Sequence, residues 1–159
     1  MINNWSLFLS SYGVLGEIGS EPWWEAIRSV GMPLIQTLDE ENCLVVFIWQ
    51  DPQGNEKTSS VASVILDVNS LTNHHSWEPI CLSRLAGTDA WFGQLTVSSQ
   101  WRGSYSFIPL QANQLPDIAL KNSDGSREAQ RAWWIDVASN QIPDDLNTLI
   151  DEDKDCIEQ

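Results

Sequence analysis

Residues 87–109 read GTDAWFGQLTVSSQWRGSYSFIP, and the fold turns on how this stretch is parsed. Two runs, 91–97 and 104–109, flank a polar SSQWRG turn. Successive side chains of a strand point to opposite faces. On that rule Tyr105 and Phe107 share one face, with Ser104, Ser106 and Ile108 on the other, so Tyr105 and Phe107 are predicted in the core. Trp91, Gly93, Leu95 and Val97 likewise oppose Phe92, Gln94 and Thr96, which predicts an apolar inner face and a mostly polar outer one.

Upstream, the apolar run Leu44 to Trp49 ends at DPQGNE, where Pro52 and Gly54 are turn residues. Val61 to Val68 and Ile80 to Leu85 add two more runs bounded by Gly, Asn, Asp or Ser. Five short strands spaced in this way predict a mainly β chain folded as a β-sandwich. A helix precedes them: Ser20 caps it, Pro22 suits its first turn, Gly31 stops it, and Trp23, Ile27 and Val30 share one face. Downstream, SREAQRAWWIDVAS from Ser126 predicts a helical segment that packs Trp133 onto the sandwich or a following domain. Residues 1–18 form an N-terminal segment, 19–147 the domain, and 148–159 an acidic tail expected to be disordered.

The chain has 159 residues, enough for one ordinary domain. No run of about 18 apolar residues is present to cross a bilayer, so no membrane span is expected. Residues 1–4 lack Lys and Arg, so the apolar WSLFLSSYGVLG stretch does not read as a secretory signal, and the expected location is cytoplasmic. Cys43, Cys81 and Cys156 show no CxxC spacing and are expected to stay reduced. The net charge is −14, with eight acids against Lys154 alone from residue 136 onward. Scattered basic residues in that field would repel a polyanion, which excludes nucleic acid as a partner.

No GxSxG elbow occurs, and His74 and His75 are the only histidines. No catalytic residue, metal site or cofactor is therefore assigned. The sequence nevertheless resembles a known family. GSEPWWEAI at 19–27, FIWQDPQGNE at 47–56, VNSLTNHH at 68–75, RLAGTDAW at 84–91 and the 87–109 block resemble, in order, the N-terminal domain of the enterochelin (enterobactin) esterases. The resemblance implies an immunoglobulin-like sandwich of the early-set type, with an N-terminal helix and a C-terminal helical segment. It also implies a partner, an α/β-hydrolase domain that carries the catalytic serine and lies outside this sequence. The substrate implied for the complete enzyme is a ferric enterobactin-like siderophore, whose ester hydrolysis releases iron inside the cell. Independent esterase activity is not expected, and an oligomer is possible.

A ferric tris-catecholate is aromatic and anionic, so a cation beside an indole suits it. Trp101 and Arg102, with the His74–His75 loop, are the candidate substrate-binding residues facing the hydrolase cleft. Arg102 paired with an acid such as Asp89, and His74 and His75 as solvated loop residues, are the structural alternatives. Trp77 and Trp101 lie in predicted loops and are expected to be reachable, whereas Trp49 and Trp91 should pack the sandwich. Exposed Trp77 and Trp101 on a flat face would instead favour a carbohydrate- or protein-binding module.

Overall fold

A computed structural model describes residues 2–69, 71–72, 79–116, 126–147 and 156–157. Helices α1 (Trp5–Ser10) and α2 (Glu21–Val30) precede strands β1 (Leu34–Thr37), β2 (Asn42–Gln50), β3 (Val61–Val68), β4 (Cys81–Arg84), β5 (Ala90–Ser98) and β6 (Gly103–Gln111). A 3-10 turn (Ala112–Gln114), α3 (Ser126–Ala138) and a two-residue β7 (Cys156–Ile157) follow. The strand order is β1-β2-β5-β4-β3-β6-β7, with each assigned pair antiparallel.

Strand β4 turns this ribbon into a sandwich. Its first half pairs with β3, Leu82 opposite Val64, and its second half with β5, Arg84 opposite Trp91. The two sheets therefore share one strand and fold over each other. Cys43, Val45, Phe47 and Trp49 of β2 meet Val64, Leu66 and Val68 of β3 and Tyr105 and Phe107 of β6 between them. Gly93 is needed at the fold line: a Cβ there would lie 2.3 Å from Leu82 Cδ2. The chain is thus a mainly β, immunoglobulin-like sandwich with flanking helices.

Both outer faces are covered, and here the structure corrects the alternation argument. The outer face of β5 is polar and exposed at Thr96, but not along its whole length. Phe92 is buried there, stacked on Trp5 at 4.5 Å and edge-on to Trp23 at 6.2 Å, in a second core with Leu9, Ile27, Val46 and Ile48. Alternation detects a buried face but cannot show that the opposite face is also covered. Helix α2 begins as expected, with Ser20 Oγ accepting from Trp23 N and Gly31 at φ 82° ending it. Its buried residues are Trp23, Trp24 and Ile27. Helix α1 was not foreseen; Asn4 caps it by accepting from Leu7 N at 3.0 Å, and Ile2 N donates to Gln94 Oε1 at 3.1 Å.

On the other side α3 covers Ile65, Ile108 and Leu110. Trp134 and Val137 are its buried apolar residues, while Trp133 is half-buried against the same cluster and donates from Nε1 to the Gln114 carbonyl at 2.7 Å. The segment after α3 forms a strap along the open edge of β6. Ile142 and Phe107 exchange backbone hydrogen bonds of 2.8 and 3.0 Å, and Met32 N donates to the Leu146 carbonyl. The buried Asp144 accepts from the Tyr105 hydroxyl, to which Asn147 Nδ2 also donates. Strand β7 then pairs Cys156 with Ser104 and Ile157 with Gly103. The remainder of the acidic tail lies outside the described residues.

Strand β1, the LIQT segment, also escaped the sequence reading. It pairs with β2 from Leu34 opposite Val46 to Thr37 opposite Cys43. The connecting turn is tied by Asp39 Oδ1, which accepts from Glu41 N and Asn42 N, each at 2.8 Å. These donors hold the Asp39 carboxyl below its ordinary range.

Candidate functional site

The register sorts the connections into two ends of the sandwich. Residues 38–41, 69, 71, 72 and 99–102 lie at one end; residues 51–60 and 85–89, with the start of α2, lie at the other. Trp101 and Arg102 belong to the first end. The 69–80 connection starts there too, with Asn69 N donating to the Ser104 carbonyl at 2.8 Å. His74, His75 and Trp77 lie outside the described residues, so Trp101 and Arg102 alone of the candidates can be placed.

Arg102 is exposed, and its Nη1 donates to the Trp101 carbonyl at 3.0 Å. Asp89, considered as its partner, sits at the opposite end and is engaged by Trp24 Nε1 at 3.0 Å and Gln50 Nε2 at 3.1 Å. Among the described residues the Arg102 guanidinium faces no carboxylate at ion-pair distance. Trp101 is less reachable than expected. Its ring lies over Gly103, where a Cβ would be 2.6 Å from Cζ2, and it packs against the inter-sheet core. Its indole nitrogen is buried without a hydrogen-bond partner among the described residues. This is a half-covered ring, not a flat platform for a sugar.

The acidic Asp39, Glu40 and Glu41 lie on the neighbouring turn, tied to the β5–β6 turn by Ser99, which donates from Oγ to the Glu40 carbonyl and from N to that of Glu41. An anionic ligand approaching Arg102 would meet their field as well.

The buried cation that sequence reasoning missed is Arg84, at the opposite end. Its side chain is 9% exposed and pairs with the wholly buried Asp51 carboxylate at 2.7 Å. Nη1 also donates to the carbonyls of Gly54 (2.8 Å) and Thr88 (3.0 Å), and the guanidinium lies 4.7 Å from the Trp91 ring centroid. Asp51 additionally accepts from Ser59 Oγ and Gln53 N. With both charges buried and the guanidinium bonded to Asp51 and to the Gly54 and Thr88 carbonyls, the pair locks the 51–60 loop to the 85–89 turn and leaves little charge for a ligand. Its signal in the sequence is its position: Asp51 lies in FIWQDPQGNE and Arg84 opens RLAGTDAW.

Beside this lock is a cavity of about 370 Å³ lined by Glu17, Ser20, Asn55, Thr88 and Asp89. A cleft of about 490 Å³ opens over Trp49, Pro52 and Ile142 at the same end. Among the described residues no three metal-ligating side chains converge, and no helix is long and apolar enough to cross a membrane.

Comparison with known proteins agrees with this architecture. The family model for the enterochelin esterase N-terminal domain matches residues 44–156. The chain is 39% identical over 131 residues to the iron(III) enterobactin esterase of Dickeya dadantii (strain 3937), covering 82% of this chain and 30% of that protein. It is 38% identical over 125 residues to the Yersinia enterocolitica enzyme of the same name, covering 77% and 35%. Among solved structures, the Shigella flexneri enterobactin esterase determined in the presence of enterobactin superposes with a TM-score of 0.67 at 34% identity, over 84% of this chain and 31% of that one. The chain thus spans about a third of the length of the relatives it matches and corresponds to their N-terminal domain. On sequence and fold together, it belongs to the enterochelin esterase N-terminal family.

Proposed function

We propose that this chain serves as the accessory domain of an esterase that opens ferric catecholate siderophores in the cytoplasm and releases their iron. The observation that supports this reading most is the one-third coverage: the relatives are iron(III) enterobactin esterases, and the matched segment is the enterochelin esterase N-terminal domain. Catalysis belongs to an α/β-hydrolase domain outside this sequence. The contribution of this domain is to cover and shape the cleft.

Trp101 and Arg102, with the loop carrying His74 and His75, remain the residues proposed to face that cleft. Exposure of Arg102 and the lack, among the described residues, of a carboxylate partner at ion-pair distance support it as a steering charge. The position of β7 gives further support, because pairing of Cys156 and Ile157 with Ser104 and Gly103 brings the chain to the Trp101–Arg102 end. In the relatives, further chain follows the matched segment.

The test is hydrolysis of ferric enterobactin by this chain fused in frame to the downstream two thirds of the Dickeya dadantii relative. Turnover is expected in the fusion and not in the chain alone. Arg102→Ala should raise KM several-fold in the fusion, and an unchanged KM removes Arg102 from the cleft.

A further inference from the structure

The Trp101–Arg102 end carries features that its own sandwich does not use. Leu38, in the β1–β2 turn, is 51% exposed, and Leu71, just after β3, is 41% exposed. Both lie at the end of the sandwich that carries the turn ending in Arg102. Next to Leu38 stand Asp39, Glu40 and Glu41, a run of three exposed carboxylates. Asp39 is occupied in holding its own turn, whereas Glu40 and Glu41 are engaged through their backbone: both carbonyls accept from Ser99, and Glu41 N donates to Asp39 Oδ1. Exposed apolar side chains with three carboxylates following Leu38, on the end to which β7 returns the chain, have the composition of an interface with its partner removed.

Other exposed apolar residues have no such setting. Leu7 and Leu15 lie at the N-terminus, Leu115 follows the 3-10 turn at the opposite end of the sandwich, and Ile135 stands on the outer side of α3. None of these is close in sequence to an acidic run of this kind, and none lies at the end reached by β7.

We infer that the β1–β2 turn, with Leu38, Glu40, Glu41 and Leu71, is the surface on which the following α/β-hydrolase domain docks, and that the facing surface of that domain is basic. The inference rests on the proposed function above, because it takes its partner from that reading. Two observations select the occupant. The tether from β7 leaves the domain beside this surface, so the following domain is held there at high effective concentration. The carboxylates require compensation if the surface is to be dehydrated, and a neutral or acidic partner would leave them buried and unpaired. Docking also answers the conflict at Arg102. Once Glu40 and Glu41 are neutralised by the partner, Arg102 is left as the uncompensated charge at the margin of the interface, with the sign that an anionic substrate needs.

The experiment uses the same fusion and the isolated chain, each carrying Leu38→Cys, Leu71→Cys, or the control Leu7→Cys or Ile135→Cys. Maleimide modification is followed site by site by mass spectrometry. Leu38→Cys and Leu71→Cys should react at least tenfold more slowly in the fusion, with Leu7→Cys and Ile135→Cys unchanged. Glu40→Lys together with Glu41→Lys should bring the two slow rates back toward those of the isolated chain, as should raised salt. Equal rates at Leu38→Cys and Leu71→Cys in both proteins overturn the docking surface, as does protection of the controls instead. Protection that appears in the isolated chain only at high protein concentration assigns the surface to a second copy and likewise overturns it. Ferric enterobactin hydrolysis separates the two readings: an active fusion with unprotected sites rejects the docking surface alone, while a protected but inactive fusion rejects the proposed function alone.

Discussion

Arg84 shows how one residue can be decisive for a fold without leaving a local pattern. Its partner Asp51 lies 33 positions away, so no helical or strand periodicity connects them. Breaking a buried pair leaves the remaining charge without compensation, a loss of about 3–5 kcal/mol. Arg84→Ala should therefore lower the urea midpoint sharply, and circular dichroism would measure it; a midpoint within error of the parent removes the lock from the stability of the fold. Gly93 is the converse case, where what matters is an atom that is absent. Gly93→Val drives a side chain into Leu82, and overpacking of this kind costs about 1–3 kcal/mol. Neither residue was singled out in the sequence, because both act through partners brought near only when β4 crosses between the sheets.

At the scale of elements, legibility followed the number of covered faces. Strand β6 read well because Tyr105 and Phe107 define one face sharply, and α2 because Ser20 and Gly31 punctuate it at both ends. Strand β5 read only half correctly, since Phe92 stood among Gln94 and Thr96 and its cover comes from Trp5 and Trp23, far away in sequence. Strand β1, four residues at a sheet edge, was too short for alternation to be visible. The cover makes a prediction: removing residues 2–14 strips Leu9 and Val14 from Phe92, Ile48 and Val46, so the truncated chain should bind a hydrophobic dye more strongly and melt at a lower temperature. The turn after β1 has a pH dependence of its own. Asp39 titrates below its ordinary value because backbone and side-chain donors favour the carboxylate. That contribution is present above the ordinary Asp range and is lost as pH falls through the lowered value. Protection of the Glu41 and Asn42 amides, measured relative to intrinsic exchange at each pH, should fall on acidification before that of the β2 interior; a simultaneous fall would mean that Asp39 does not hold the turn separately.

For the molecule as a whole, four layers emerge: N-terminal helices, two sheets joined through β4, and α3. The sandwich and its family were legible in ordered blocks of sequence, since those blocks include the turns at both ends as well as the core strands. The candidate site was less so. Trp101 and Arg102 are neighbours in sequence, yet one ring is folded onto the core and the other side chain projects outward. Only the three-dimensional register shows that the acidic β1–β2 turn stands beside them. An isolated chain with background-level esterase activity, alongside an active fusion, is the expected outcome at this scale; turnover by the isolated chain would place a nucleophile within these 159 residues.

The strap formed by Ile142 to Asn147 also sets an order of events during synthesis. Strand β6 keeps a bare edge at Phe107 until Ile142 has left the ribosome, and the backbone amide of Met32 waits longer still for Leu146. The sandwich can therefore be assembled early but closed only near its end. A nascent chain arrested shortly before Ile142 should present an open strand edge to chaperones and proteases, whereas one arrested after Asn147 has emerged should already resist digestion.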